Sequence, residues 1–386
     1  MNIAFFQYGI ENLQGGGGAE RFFADFFDEY NASDLAKYNL YYITDKDSIS
    51  NLNNIGKLNF KKNILHFKIF SNRFKDIIES FQLIGLIIRY NIKIIHIPLY
   101  NQTYLPILKR LDNLPSYLRP RIVINIVNCF VSQVLSNPAH KNFQDFSDRY
   151  IPLFNNINAD GYFCWNQSFV DYVTGSNLLK HKPKKIYAIK SRFSDTKRFI
   201  PFYPKKNLIV FGSRLEEQKH PEWFVEAVII LKNKHYNQIK NWQLMLFGNG
   251  SLKEKLNETT EKNNLSDIFS LKTDGDLSKY FNYSKIYVSC QDFDNFPSLS
   301  MSEAMVSGNA IIARDVGQTN LFLLENENGL FIKPDSVEGL VNAILKLVTM
   351  EESQIAAMGQ KSVELMKNTH NVPNFIKQID AFWSEL

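Results

Sequence analysis

NLIVFGSRLEEQKHPEWFVEAVIILKN, residues 207–233, passes from a continuous apolar run through a glycine and a charged loop into an amphipathic helical stretch. A strand without polar alternation has both faces covered, the mark of a parallel strand flanked by helices. The same unit recurs along the chain. Apolar runs MNIAFF, LYYIT, IKIIHIPLY, RIVINIV, GYFCW and KIYAI in the first half are followed in the second by NLIVFGS, WQLMLFG, IYVSC, NAIIAR and GLFIK. Helical stretches such as AERFFADFFDEY, PEWFVEAVIILKN and SVEGLVNAILKLV lie between them. This alternation predicts an α/β chain with two doubly wound parallel sheets. The series restarts after RFSDTKRFIPFYPKKN, a polar stretch with two prolines near residue 200, which reads as a linker. The expected domains are therefore 1–198 and 199–371, followed by a helix at about 372–386 beyond the break at Pro373.

The chain has 386 residues, 45% hydrophobic and 22% charged, which suits a soluble globular protein of two-domain length. A net charge of +5 is too small to argue for nucleic acid, but its distribution is uneven. Residues 1–50 carry Arg21, Lys37 and Lys46 against eight acids, whereas residues 51–110 carry ten Lys and Arg against Asp76 and Glu79. In that second block the bases interleave with Phe, Ile and Leu. The pattern suits the surface of an anionic membrane, and equally a solvated basic face on ordinary helices. Arg89 and Lys93 interrupt the most apolar segment, FQLIGLIIRYNIKIIHIPLY, short of the ~20 apolar residues that a span requires. MNIAFFQYGIENLQ lacks the basic start of a signal peptide. Cys129, Cys164 and Cys290 are odd in number, far apart and form no C-x-x-C, so a reducing cytoplasm is expected; the membrane reading of the basic block would add peripheral contact at the inner face of the cell membrane.

In open parallel sheets, ligands bind beyond the carboxyl ends of the strands, and several motifs fall there. QGGGGAERFF follows the first strand and opens a helix, so Gly17 and Gly18 bring backbone N–H groups and a helix N-terminus towards an anion. The pattern is not G-x-G-x-x-G, which argues against a dinucleotide-dependent oxidoreductase. After NLIVFGS, Gly212 is followed by Arg214 and Lys219, two cations suited to a diphosphate; Glu216 and Glu217 could instead pair with them. LMLFGNGSL repeats the strand-then-glycine form at Gly248 and Gly250. DNFPSLSMSEAMVSG then places the carboxylates Asp294 and Glu303 either side of a small-residue loop. A carboxylate in the first turn of the helix SEAMVSG stabilises its N-terminus, which is the plain structural explanation for Glu303. It does not account for Asp294.

GGGGAERF, WNQSFVDYV, SDTKRF, FGSRLEEQK, LFGNGSL, DNFPSLSMSEAMVSGNAIIARDVGQ and NGLFIKPDSVEGL, in this order and spacing, resemble the GT-B glycosyltransferases, specifically the retaining family 4 that uses nucleotide-sugar donors. The resemblance covers nearly the whole chain. It implies two Rossmann-like domains facing across a cleft, with the helix 372–386 packing back on the first. Arg214 and Lys219 would neutralise the donor diphosphate and Glu303 would bind the ribose hydroxyls. Asn295, Phe296, Pro297, Ser298 and Leu299 would offer backbone N–H groups to the sugar and phosphate, beside Gly17, Gly18, Gly212 and Gly248. Family members carry two glutamates eight positions apart; here Asp294 is nine before Glu303 and Asn295 stands at the eight-spaced position, and a one-residue insertion in the loop would make Asp294 the first catalytic carboxylate. On the acceptor side His96 matches a frequent family histidine, while Val127 followed by Asn128 replaces another. RFSD stands where an NGVD-like turn is common. DFD, Asp292 to Asp294, resembles a metal motif of a different fold, and the resemblance implies that the two cations replace a divalent ion.

The implied activity is retaining transfer of a hexose or N-acetylhexosamine from a nucleoside-diphosphate sugar, UDP before GDP, without cofactor or metal. The implied acceptor is a glycan or lipid-linked molecule of bacterial surface polysaccharide or glycolipid synthesis. The alternative is a non-catalytic GT-B-like protein that binds a nucleotide or a partner chain.

Overall fold

The computed structural model describes residues 1–10, 18–71, 73–127, 130–273, 275–293 and 298–386, with Phe130 as backbone only. The chain forms two compact units, Met1–Ile189 with Val372–Leu386, and Lys190–Asn371. RFSDTKR thus counts with the second unit, where the Arg198 guanidinium pairs with Asp276 at 2.6 Å and the Ile200 N–H donates to Asn282 Oδ1 at 3.0 Å.

The first unit holds strands β1 (Asn2–Phe6), β2 (Asn39–Thr44), β3 (Ile64–His66), β4 (Ile92–Ile97), β5 (Arg121–Ile126), β6 (Gly161–Cys164) and β7 (Lys185–Ala188). They pair parallel throughout in the order β3-β2-β1-β4-β5-β6-β7. One face packs Ile95, Ile97, Ile122, Ile124 and Ile126 against helices that include Leu105–Asp112 and Phe143–Asn156. The other face is aromatic. Helix Gly18–Ala32 buries Phe22, Phe23, Phe26, Phe27 and Tyr30, whose spacing puts them on one side of the helix. Phe26 meets Phe375 of the C-terminal helix Val372–Ser384 with ring centroids 4.7 Å apart. That helix is seated where Gly161 leaves room: a Cβ there would stand 2.7 Å from Phe382 and 2.9 Å from Leu386. Its Asp380 accepts from the Tyr30 hydroxyl at 2.6 Å and the Lys37 N–H at 3.1 Å. Pro373 lies inside the first turn of this helix rather than ahead of it, because a first-turn residue needs no intrahelical N–H donor.

The second unit holds β8 (Lys206–Gly212), β9 (Gln243–Phe247), β10 (Phe269–Lys272), β11 (Ser284–Ser289), β12 (Ala310–Ala313) and β13 (Gly329–Phe331). They form a parallel sheet in the order β10-β9-β8-β11-β12-β13. Helices Pro221–Ile239 and Val337–Val348 cover one face through Phe224, Val228, Leu231, Leu340, Ile344 and Leu347, all fully buried. Eleven of these strands are the apolar runs of the sequence. The exceptions, β3 and β10, are edge strands of three and four residues.

Candidate functional site

From β8 the second sheet builds outward through β9 to β10, then returns to place β11 on the other side of β8. At such a reversal the loops leaving the two central strands diverge and open a crevice beyond their carboxyl ends, the usual ligand position in an open parallel sheet. Arg214 and Lys219 follow β8; Glu303 follows β11.

The loop after β8 lies backbone to backbone on the loop after β9. The Ser213 N–H donates to the Phe247 carbonyl at 3.0 Å, and the Leu215 N–H to the Asn249 carbonyl at 2.9 Å. Glycine permits this contact: a Cβ on Gly248 (φ +155°) would stand 1.8 Å from the Ser213 carbonyl oxygen, and one on Gly250 would be 2.4 Å from that of Leu215. At Gly212 a Cβ would meet the Phe281 ring at 2.9 Å. Gly212 and Gly248 therefore have packing reasons that do not involve a ligand.

Arg214 and Lys219 differ sharply in setting. Arg214 is exposed and forms no ion-pair contact with a carboxylate among the described residues, although its charge acts on Glu216. Glu216 is engaged by Ser251, whose Oγ and N–H donate to it at 2.7 and 3.2 Å and hold its carboxyl below the usual range. Lys219 ends the short 3-10 turn Glu217–Lys219 and is only 7% exposed. Its Nζ donates to Gln291 Oε1 at 2.9 Å and lies 4.6 Å from the centre of the Phe293 ring. The next residue, His220, takes a left-handed conformation (φ 47°) before Pro221 opens the long helix. Its Nδ1 lies 3.1 Å from Glu222 Oε1 and its Nε2 2.9 Å from Asp292 Oδ2. Two consecutive residues after β8 thus clasp two consecutive residues after β11. Arg314, after β12, extends the polar rim. It forks onto Asp335 with two contacts of 2.6 Å, donates to the Cys290 carbonyl at 3.3 Å, and lies 4.7 Å from the centre of the Trp223 ring.

Glu303 sits on helix Leu299–Val306, whose N-cap is Ser298. The Ser298 Oγ accepts from the Met301 N–H at 3.4 Å and its carbonyl from the Ser302 N–H at 3.1 Å. The helix thus begins ahead of SEAMVSG and Glu303 lies past its first turn, so stabilisation of the N-terminus does not explain this carboxylate. Glu303 is half-buried, and its charge adds to the burial that pushes the Tyr287 phenol up to about 12. The far end of the helix is fixed from beneath. Gly308 (φ +75°) reverses the chain, and the Asn309 amide donates to the carbonyls of Ala304 and Phe281, each at 2.9 Å. The half-buried Lys205 ammonium, drawn down to about 7 by desolvation, donates to the Ser307 carbonyl.

Asp294, Asn295, Phe296 and Pro297, and on the other unit Gly17 and Asn128, lie outside the described residues. Gly18 is the first residue of helix Gly18–Ala32, and Leu299 the first of Leu299–Val306. His96 is fully buried in the aromatic core of the first unit. Trp383 Nε1–H donates to its Nδ1 at 3.1 Å, Phe5 packs edge-on at 5.2 Å, and burial lowers its pKa to about 3, so it stays neutral. This is a packing role within the core. Gln291, His220 and Asp292 were not assigned to a binding role from sequence. Gln291 did carry a signal: it is a polar residue directly after the apolar strand KIYVSC, and the fold buries it.

Residues 193–365 match the family model Glycosyl transferases group 1. The match lies within the second unit, which carries the clasp. Curated relatives include the UDP-N-acetylglucosamine–peptide N-acetylglucosaminyltransferase GtfA subunits of Streptococcus gordonii, 24% identical over 48% of this chain, and of Limosilactobacillus reuteri subsp. suis, 26% identical over 47%. The chain spans 36% of the length of each of these relatives. Among solved structures, HepE of Anabaena in complex with UDP superposes with a TM-score of 0.72 at 13% identity, covering 100% of both chains. Sucrose-phosphate synthase of Thermosynechococcus elongatus gives 0.71 at 16% identity, covering 100% of this chain and 98% of the other. Pneumococcal GtfA in complex with UDP and GlcNAc gives 0.67 at 14%, covering 100% and 99%. The fold is GT-B.

Proposed function

We propose that the chain is a glycosyltransferase that moves a hexose or N-acetylhexosamine from a uridine diphosphate sugar to a glycan or lipid-linked acceptor of surface polysaccharide or glycolipid synthesis. The observation that carries this reading is the clasp of Lys219 and His220 on Gln291 and Asp292 at the reversal of the second sheet. It holds one cation in place on the loop that also carries the exposed Arg214, at the point where such a sheet takes a ligand. The family match over 193–365 and the relatives named for UDP-N-acetylglucosamine support a sugar-nucleotide as that ligand. In this reading Lys219 and Arg214 stabilise the negative charge that develops on the departing diphosphate, in place of a divalent ion. Glu303 accepts hydrogen bonds from the ribose hydroxyls. The acceptor hydroxyl attacks the anomeric carbon from the side the diphosphate leaves, so configuration is retained.

Titration calorimetry with UDP, GDP, ADP and pyrophosphate tests the donor half. UDP should bind, and Glu303→Ala should weaken UDP by ~10–100-fold while leaving pyrophosphate unchanged, since pyrophosphate has no ribose. If Glu303→Ala leaves UDP affinity intact, the ribose assignment is wrong. Mass spectrometry of UDP-sugars incubated with glycan and lipid extracts tests transfer. UDP binding with no sugar added to any acceptor would favour the non-catalytic alternative.

A further inference from the structure

Helix Lys75–Arg89 in the first unit shows an apolar side to solvent. Phe74 at its start is 55% exposed, Ile77 41%, Phe81 68% and Ile88 55%, with Ile84 half-buried between them. Steps of three and four residues put all five on one side of a helix with 3.6 residues per turn, along about 21 Å. The opposite side, through Glu79, Leu83 and Ile87, is buried. This is the reverse of an ordinary surface helix, whose solvent side is polar.

The exposed charges around the stripe have one sign. Lys75 and Arg89 lie on the helix itself, and Arg73 just before it; all three are exposed. Exposed Lys68 is held alongside, because Gln82 accepts from its N–H at 3.1 Å and donates to its carbonyl at 3.3 Å. Helix Leu105–Asp112 packs on the other flank, where Arg110 donates to the Asp76 carbonyl at 3.1 Å. Between the two helices lies a groove of about 500 Å³ lined by Phe81, Ile84, Pro106, Leu114, Lys109 and Arg110. The acids of this region do not offset the bases at the surface: Asp76 is half-buried, and Glu79 is buried with its carboxylate accepting from the Phe70 N–H at 2.9 Å.

We infer that this face docks on an anionic phospholipid surface, with the Phe74–Ile88 stripe lying in the interfacial plane and the flanking bases on lipid phosphates. Apolar residues along one side and cations along its flanks are the complement of acyl chains beneath a layer of phosphate. A second copy of the chain fits less well, since a two-fold pairing would set Lys75 and Arg89 of each copy against the same cations of the other. No helix among the described residues is long and apolar enough to cross a membrane, so the contact is interfacial.

Flotation of the full chain with vesicles tests this. Phosphatidylcholine vesicles containing about a third phosphatidylglycerol should carry the protein up at low salt. Pure phosphatidylcholine should not, and high salt should weaken the capture. Phe81→Ser with Ile88→Ser should reduce partitioning at least ~10-fold, and Lys75→Glu with Arg89→Glu should weaken both the capture and its salt dependence. All four positions are exposed, so circular dichroism and UDP calorimetry should be unchanged; the latter separates loss of docking from loss of the nucleotide site. Equal partitioning of the Phe81→Ser, Ile88→Ser variant and the native chain would overturn the inference. So would failure to float with anionic vesicles, or a lipid-free dimer by light scattering that the same substitutions dissolve.

Discussion

Replacing Lys219 by Met removes the ammonium while keeping an unbranched chain of similar length in a site only 7% exposed. Two effects follow from the contacts at Nζ. Gln291 Oε1 loses a charged donor at 2.9 Å, a bond worth ~1.5–3 kcal/mol of folding free energy. The second effect concerns the ligand. If Lys219 contacts the diphosphate, the lost charge-assisted bond is worth ~1.5–3 kcal/mol, or ~10–150-fold in affinity. A thermal-shift assay separates the two because each variant is compared with its own ligand-free form. At UDP one hundred times the native dissociation constant, the native chain gains ~2.7 kcal/mol. A variant ~30-fold weaker gains only ~0.9 kcal/mol at the same concentration. For a unit of 182 residues, counted from Lys190 to Asn371, that is a fall from ~5–11 °C to ~2–4 °C in the shift of Tm. An unchanged UDP shift in Lys219→Met would refute the diphosphate role, whatever happens to the ligand-free Tm.

Gly248→Ala should destabilise the second unit by ~2–4 kcal/mol in urea unfolding, because the new methyl meets a backbone carbonyl at 1.8 Å and cannot rotate away; a loss under ~1 kcal/mol would refute that account. His96 gives a pH signature. Between its ordinary 6.5 and about 3 the unfolded chain binds a proton that the folded chain refuses, so stability falls as pH drops below 6.5. From pH 6.5 to 5 the native chain should lose ~2 kcal/mol more than His96→Phe, at ~1.4 kcal/mol per pH unit; parallel curves would exclude the assignment. Trp383→Ala removes a fully buried indole and its bond to His96, and should cost ~3–5 kcal/mol by denaturant titration. Near-neutral behaviour would mean the C-terminal helix is not integral to the first unit.

The fold class was legible because a parallel strand covered on both faces writes itself as an unbroken apolar run. NLIVFGS, KIYVSC and NAIIAR need no tertiary information to be recognised, and a chain that alternates such runs with helices has few ways to bury them. The two strands that escaped, β3 and β10, sit at sheet edges. Arg214, Lys219 and Glu303 were legible as residues placed just beyond strands. What each one does was not. Burial separates Lys219 from Arg214, and it is set by where Gln291 and Phe293 arrive from a strand more than sixty residues later in the chain. Gly248, which reads as a ligand contact, also sits where two loops touch, a fact only the paired backbones reveal. The histidine in IIHIPLY lies one face away from the apolar neighbours that surround it in sequence, among aromatic rings contributed by residues near both ends of the chain. Local pattern reports what a residue's neighbours along the chain require, which suffices for strands and helices. Exposure, partnership and charge depend on which distant segments close over a residue, and only the folded sheet order brings those segments together.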